Sequence, residues 1–174
     1  MRLHMIRSRI LRLAREESGQ DLVELTIVTP LLLLVMLAII EFGGLIDSQQ
    51  ELSYLTREGA SIASRGTALD TVLAITLENG EDIGLSSRGG AVVSRVTMNG
   101  GDAEIQAQVA SPGYGSASRI GESGDEVASI SALTVADGAS LHVVEVFLER
   151  PTNTPILNFF SGSIPEVMYD RAIF

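Results

Sequence analysis

Cysteine is absent from the 174 residues, which removes disulfides, thiolate metal sites and a cysteine nucleophile together. That absence says little about compartment, because an exported domain large enough to bury a core does without disulfides. Lysine is missing as well, so all 12 basic side chains are arginine. Histidine is scarce. His4 lies near the N-terminus and His142 in a strand-like stretch, and neither has a companion at ligand spacing, so His142 reads as an ordinary sheet histidine. The acids Glu78, Glu81 and Asp82 do not fit a calcium loop and read as a solvated helix end. No G-x-S-x-G, P-loop or dinucleotide fingerprint occurs, and Gly113-Tyr114-Gly115 lacks the following helix that a phosphate loop requires. The residues therefore predict no enzyme, and with it no cofactor, no metal and no small-molecule substrate.

What is present is one long apolar run. Leu25 to Ile40 carries no charge, and extension to Ile46 takes in a single acid, Glu41. Those 22 residues span about 33 Å as a helix, enough to cross the hydrocarbon of a bilayer. Glu24 stands at the entrance. Residues 1 to 19 hold Arg2, Arg7, Arg9, Arg12 and Arg15 against Glu16 and Glu17, a charge of +3, and subtraction from the total of −10 leaves −13 for residues 20 to 174. Such asymmetry places the basic end in the cytoplasm and the acidic bulk outside it. An acidic bulk also argues against nucleic acid as a partner. Glu41-Phe42-Gly43-Gly44 after the run is a poor signal-peptidase site. Pro30 within the run predicts a kink or a locally melted turn. Glu41 is expected at the outer interface, where its charge costs little, with a buried partner-binding role as the alternative.

Beyond the membrane the helix continues. Leu45, Ser48, Leu52, Leu55, Gly59 and Ile62 recur at spacings of three and four, a seam that packs either on the chain's own domain or in a filament. Gly59, Ala60, Ser61, Ala63 and Ser64 permit close approach, and Gly66 is a suitable stop. Thr67 to Asp70 has the spacing of a capping box, ahead of a short helix that ends near Asn79-Gly80. Ala91–Met98 and Ala103–Ala110, joined by Asn99-Gly100-Gly101-Asp102, predict a hairpin with Ala103, Ile105, Ala107 and Val109 facing inward and one face of the sheet wet. Residues 111 to 139 form a long connection, with Gly121 to Glu126 exposed. Leu141–Glu149 is a strand with His142, Val144, Val146 and Leu148 on one face. Pro151 ends it, Pro155–Phe160 forms a helical turn, and Val167–Phe174 is a last strand. The class is α+β: a long N-terminal transmembrane helix, a short helix, and a small antiparallel sheet packed on the long helix.

Ser18-Gly19-Gln20-Asp21-Leu22-Val23-Glu24 ahead of an apolar helix resembles a type IV prepilin processing site. More specifically, residues 18 to 66 resemble the TadE-like family of pseudopilins of the tight adherence pilus system. The resemblance rests on a G-Q-x-x-V-E opening at Gly19 to Glu24 and a proline before a leucine run at Pro30 to Leu34. An I-E-F-G exit at Ile40 to Gly43 and an R-E-G-A stretch at Arg57 to Ala60 complete it. It implies a pseudopilin-like protein in three parts: a basic leader at 1–19, a long helix at 20–66 that is membrane-spanning to about 46, and an extracytoplasmic α+β domain at 67–174. It also implies cleavage between Gly19 and Gln20 by a membrane prepilin peptidase, for which a glycine without Cβ suits an extended substrate cleft. In the family, the acid equivalent to Glu24 is thought to meet the new α-amino group of a neighbouring subunit; pairing with the amine of its own Gln20, one turn away, is the local alternative. The implied function is that of a minor pseudopilin in assembly of a tight adherence type IV pilus or a related secretion system. The implied location is the bacterial inner membrane, single-pass, with pilins, pseudopilins and assembly proteins as partners beside the lipid bilayer. The competing reading is an uncleaved, membrane-anchored envelope protein whose outer domain binds another component.

Overall fold

The computed structural model describes residues 2–127, 130, 135–150 and 165–174, with side chains from residue 19 onward. Pro151 and the helical turn expected at Pro155–Phe160 lie outside the described residues.

A single helix, α1, runs from Arg2 to Ser64. Its 63 residues make a rod of about 95 Å. The helix is unbroken through Pro30, so the melted turn expected there does not occur. Proline costs the Thr26 carbonyl its amide donor, and the Thr26 hydroxyl donates one turn back to the Leu22 carbonyl at 2.6 Å. The basic leader is thus continuous with the membrane helix. At the far end Gly66, at φ +91°, terminates the helix, with its N–H donating to the Ala63 carbonyl at 3.0 Å.

The short helix α2, Leu69–Asn79, forms where its periodicity predicts. Its cap does not. Ala68 occupies the N-cap with no side-chain hydrogen bond, because the first turn starts one residue later than the Thr67 box requires. A single 3-10 turn at Glu81–Ile83 and a four-residue helix, α3, at Leu85–Arg88 lead into the sheet.

Strands β1 (Gly89–Asn99), β2 (Asp102–Ala110), β3 (Ser140–Glu149) and β4 (Val167–Ile173) form one antiparallel sheet in the order β2-β1-β3-β4. The β1–β2 hairpin closes on Gly100 and Gly101, at φ +64° and +96°, a two-residue turn in which both positions favour glycine. The distal half of α1 lies against β3 and β4, and α2 against β1 and β2. Of the predicted seam, Leu52, Leu55 and Gly59 are buried and Leu45, Ser48 and Ile62 half-buried. The seam therefore packs on the chain's own sheet. Leu52, Leu55, Ala60 and Ala63 meet Val72, Leu85, Val93, Val144, Val146 and Leu148 in one core, in which each large aliphatic side chain contributes about 1.5–3 kcal/mol. The Thr56 hydroxyl donates to Asp170 Oδ2 at 2.6 Å and ties α1 to β4.

Two expectations for the sheet are corrected. Arg95 pairs with Ala107 but Val96 with Ile105, leaving Gln106 as the extra residue of a β-bulge. The bulge reverses the alternation along β2, so Ala103 and Ile105 point away from the helices while Val109 packs toward them. Nor is the outer face wet. Val96, Met98, Ala103, Ile105 and Val143 are covered there by Ile120, Val127 and Ile130 of the long connection. That connection is held by backbone bonds from Ile105 N–H to the Asp125 carbonyl (3.0 Å) and from Val127 N–H to the Ala103 carbonyl (2.7 Å). Its rim, Glu122 to Glu126, is exposed as expected, whereas Gly121 is half-buried.

Candidate functional site

The residues singled out by sequence lie along a rod and not in a pocket. Gly19 and Gln20 are helical and exposed, and a Cβ built on Gly19 meets no atom within 4 Å. Glu24 is exposed one turn from Gln20. Pro30 follows about 9 Å further along the axis and Glu41 about 26 Å beyond Glu24, at 1.5 Å per residue. The fold brings Gly19, Gln20 and Glu24 together and leaves Pro30 and Glu41 apart from them.

Between Gly19 and Ile40 every residue is exposed except the half-buried Ala38. Leucine, isoleucine and valine therefore face outward on all sides of α1, with Ile27 at 70% and Leu22 at 64% exposure. An all-round apolar helix suits hydrocarbon, and this helix is long and apolar enough to span a membrane. Glu41 ends the exposed stretch and departs from expectation. Its side chain is 1% exposed, so it is buried where α1 enters the domain and not in open solvent at an interface.

That end of the domain holds features the sequence reading missed. Glu145 is fully buried on the outer face of β3, and its carboxylate takes three donors: Ser118 Oγ at 2.6 Å, the Arg119 backbone N–H at 2.9 Å and the Tyr169 hydroxyl at 2.8 Å. Burial first, then the hydrogen bond and charge of Glu145, push the Tyr169 phenol well above its usual range. Tyr169 packs on Phe147 with ring centroids 5.1 Å apart, and the Arg119 guanidinium lies 3.9 Å over the Tyr169 ring. The signal for this network was one acid within the apolar run Leu141 to Leu148. Beside it a pocket of about 440 Å³ is lined by Phe42, Leu45 and Ile46 of α1 and by Arg119, Val167 and Tyr169. His142 shares a face of β3 with Val144, Val146 and Leu148 as expected, the one turned to the helices, and is held below its ordinary pKa by burial and then by Arg95. Among the described residues no three histidine or acidic side chains converge as a metal cage.

Comparison with curated proteins and with solved structures gives no match. The family model described as TadE-like protein matches residues 19–61. That interval opens on Gly19, takes in Glu24, Pro30 and Glu41, and closes in the packed half of α1, so it is in this N-terminal segment that the chain is similar to the TadE-like family.

Proposed function

We propose that this protein is a minor pseudopilin that takes part in assembly of a tight adherence type IV pilus or a related secretion system, acting by association and not by catalysis. The observation that carries this reading is the match over residues 19–61, which begins at the glycine of the processing motif and includes Glu24 at the entrance of an apolar, exposed helix. A prepilin peptidase cuts between Gly19 and Gln20 on the cytoplasmic side of the inner membrane, and the domain beyond Ile46 lies outside the cytoplasm. The new α-amino group of Gln20 and the Glu24 carboxylate then supply complementary charges at the membrane surface, where an unpaired carboxylate is costly. Other pilins and pseudopilins are the partners.

The test is the N-terminus of the mature chain. Cleavage removes 19 residues, five of them arginine, and lowers the mass by about 2.3 kDa at roughly 120 Da per residue. Intact-mass measurement on protein from cells with an active prepilin peptidase reads this directly. Retention of Met1 there selects the second reading, an uncleaved single-pass anchor with an outer binding domain. One observation favours that reading: α1 is unbroken across Gly19-Gln20, so the peptidase must unwind a helical bond before cutting it.

A further inference from the structure

The pocket between α1 and the edge strand β4 lies where the apolar helix ends. Phe42, Leu45 and Ile46 form its wall on one side, and they are the last apolar turn of the 22 residues that span hydrocarbon. On the other side stand Arg119 and Tyr169, with Arg150 also at the rim. We propose that this pocket holds the headgroup of an anionic phospholipid from the leaflet facing the domain, its phosphate on Arg119 and the start of its acyl chains against Phe42, Leu45 and Ile46. The proposal rests on the membrane-anchored reading of α1.

Three observations carry it. First, Arg119 is preorganised for an anion. Stacking on Tyr169 occupies one flat face of the guanidinium, whereas its N–H donors point outward in the plane. Among the described residues those side-chain donors have no hydrogen-bond acceptor, and the Arg119 backbone is anchored by the bond to Glu145. The ring beneath it is fixed in turn by the hydroxyl bond to Glu145 and by packing on Phe147. Second, the charge is local and opposed to the domain's average. Residues 20 to 174 carry −13, which repels an anionic surface generally, so an anionic lipid is drawn only to a place where arginine dominates. The carboxylate that holds the Arg119 backbone, Glu145, is fully buried and has its oxygens committed to internal donors. Third, the lining joins apolar surface to a cation, as a lipid joins acyl chain to phosphate. Phe42, Leu45 and Ile46 of α1 and Val167 and Met168 of β4 supply the apolar side chains, and Arg119 supplies the charge.

The experiment uses the full chain reconstituted in vesicles of equal phosphatidylglycerol and phosphatidylcholine, extracted in mild detergent, with retained lipid counted by mass spectrometry. The wild type is expected to retain phosphatidylglycerol in preference to phosphatidylcholine. Arg119→Gln is expected to lower that retention roughly five-fold, the factor that follows from one arginine near an anionic lipid surface, and Arg119→Lys to restore part of it. Phe42→Ala tests the apolar wall. Phe42 is 46% exposed, so its loss leaves the core intact while lowering retention of the lipid. The five leader arginines are unchanged in every variant, so any difference belongs to the pocket. Equal retention of the two lipids, or retention unaltered by Arg119→Gln in a variant that melts as the wild type does, overturns the proposal. Displacement of the lipid by millimolar inorganic phosphate overturns it too, by revealing a site for free anions. Failure of the wild type to enter either vesicle rejects the membrane-anchored reading and this proposal with it, whereas insertion without lipid preference rejects the proposal alone.

Discussion

Glu24 is exposed at the entrance of a helix whose next sixteen residues, Leu25 to Ile40, are uncharged, so its charge needs a partner from outside the hydrocarbon. Glu24→Gln preserves size and polarity and removes only the charge. The expected outcome is normal membrane insertion and normal cleavage with loss of association with other pilins, read by co-purification. Undiminished co-purification rejects the pairing role, and loss of cleavage transfers Glu24 to the peptidase recognition site. His142 makes a second prediction at this scale. Burial, and then Arg95, lower its pKa from 6.5 in the folded protein. The unfolded chain therefore binds a proton that the folded chain resists, and stability falls as pH drops below 6.5 toward the lowered value. Thermal unfolding in detergent at about pH 7.5 and about pH 5.5 should show this loss, and His142→Gln should reduce it. An equal pH dependence in the variant would show that other groups carry it. That His142 shares a face of β3 with Val144, Val146 and Leu148 was legible from strand alternation. Its neighbour Arg95 was not, because the two meet only through the β1–β3 register.

At the scale of elements, α1, α2 and β3 meet at Gly59. A Cβ there would lie 2.8 Å from Thr76 Oγ1 and 3.4 Å from Val144 Cγ1, and the Thr76 hydroxyl donates to the Val72 carbonyl at 2.9 Å within α2. Replacing glycine by alanine gains about 1 kcal/mol of helix propensity. Crowding in a packed core costs about 1–3 kcal/mol. Gly59→Ala is therefore expected to destabilise by about 1 kcal/mol net, and Thr76→Ala in the same chain to recover part of it; strictly additive losses in that double-mutant cycle would show that the contact is not the cause. The small-residue stretch around Gly59 signalled close approach in the sequence, without saying to what. Gly19 behaves in the opposite way. With no atom within 4 Å of a Cβ, Gly19→Leu leaves the helix intact, so a block in cleavage would report the shape of the peptidase cleft. Gly19→Ala is expected to be cut in part. Efficient cutting of Gly19→Leu, seen by intact mass, would remove glycine from the recognition motif.

For the whole molecule, the proposed topology, read from the charge asymmetry, has the domain outside the cytoplasm. A periplasm-specific reporter fused after Phe174 should be active and a cytoplasm-specific one silent, and the intact chain should need detergent to leave the membrane; the reverse reporter pattern would invert the topology. Much of the molecule was open to reading from local pattern. The apolar run, the seam from Leu45 to Ile62, the helix before Asn79, the glycine turn at Gly100-Gly101 and the strands at both ends of the sheet each depend on residues a few positions apart. Periodicity of that range is written directly in a sequence. The features that escaped it depend on distant partners. The bulge at Gln106 turns Ala103 and Ile105 to the outer face because β2 must keep its register with β1. The connection covers that face because Ile120, Val127 and Ile130 have an apolar surface to meet there. Glu145 is tolerated in the interior because Ser118, Arg119 and Tyr169, from two other segments, donate to it. The sequence by itself determined a membrane helix carrying an α+β head. Only the tertiary structure decided which acids are buried, which sheet face is covered and where Arg119 meets the membrane end of α1, because those outcomes follow from the register and desolvation of groups far apart in the chain.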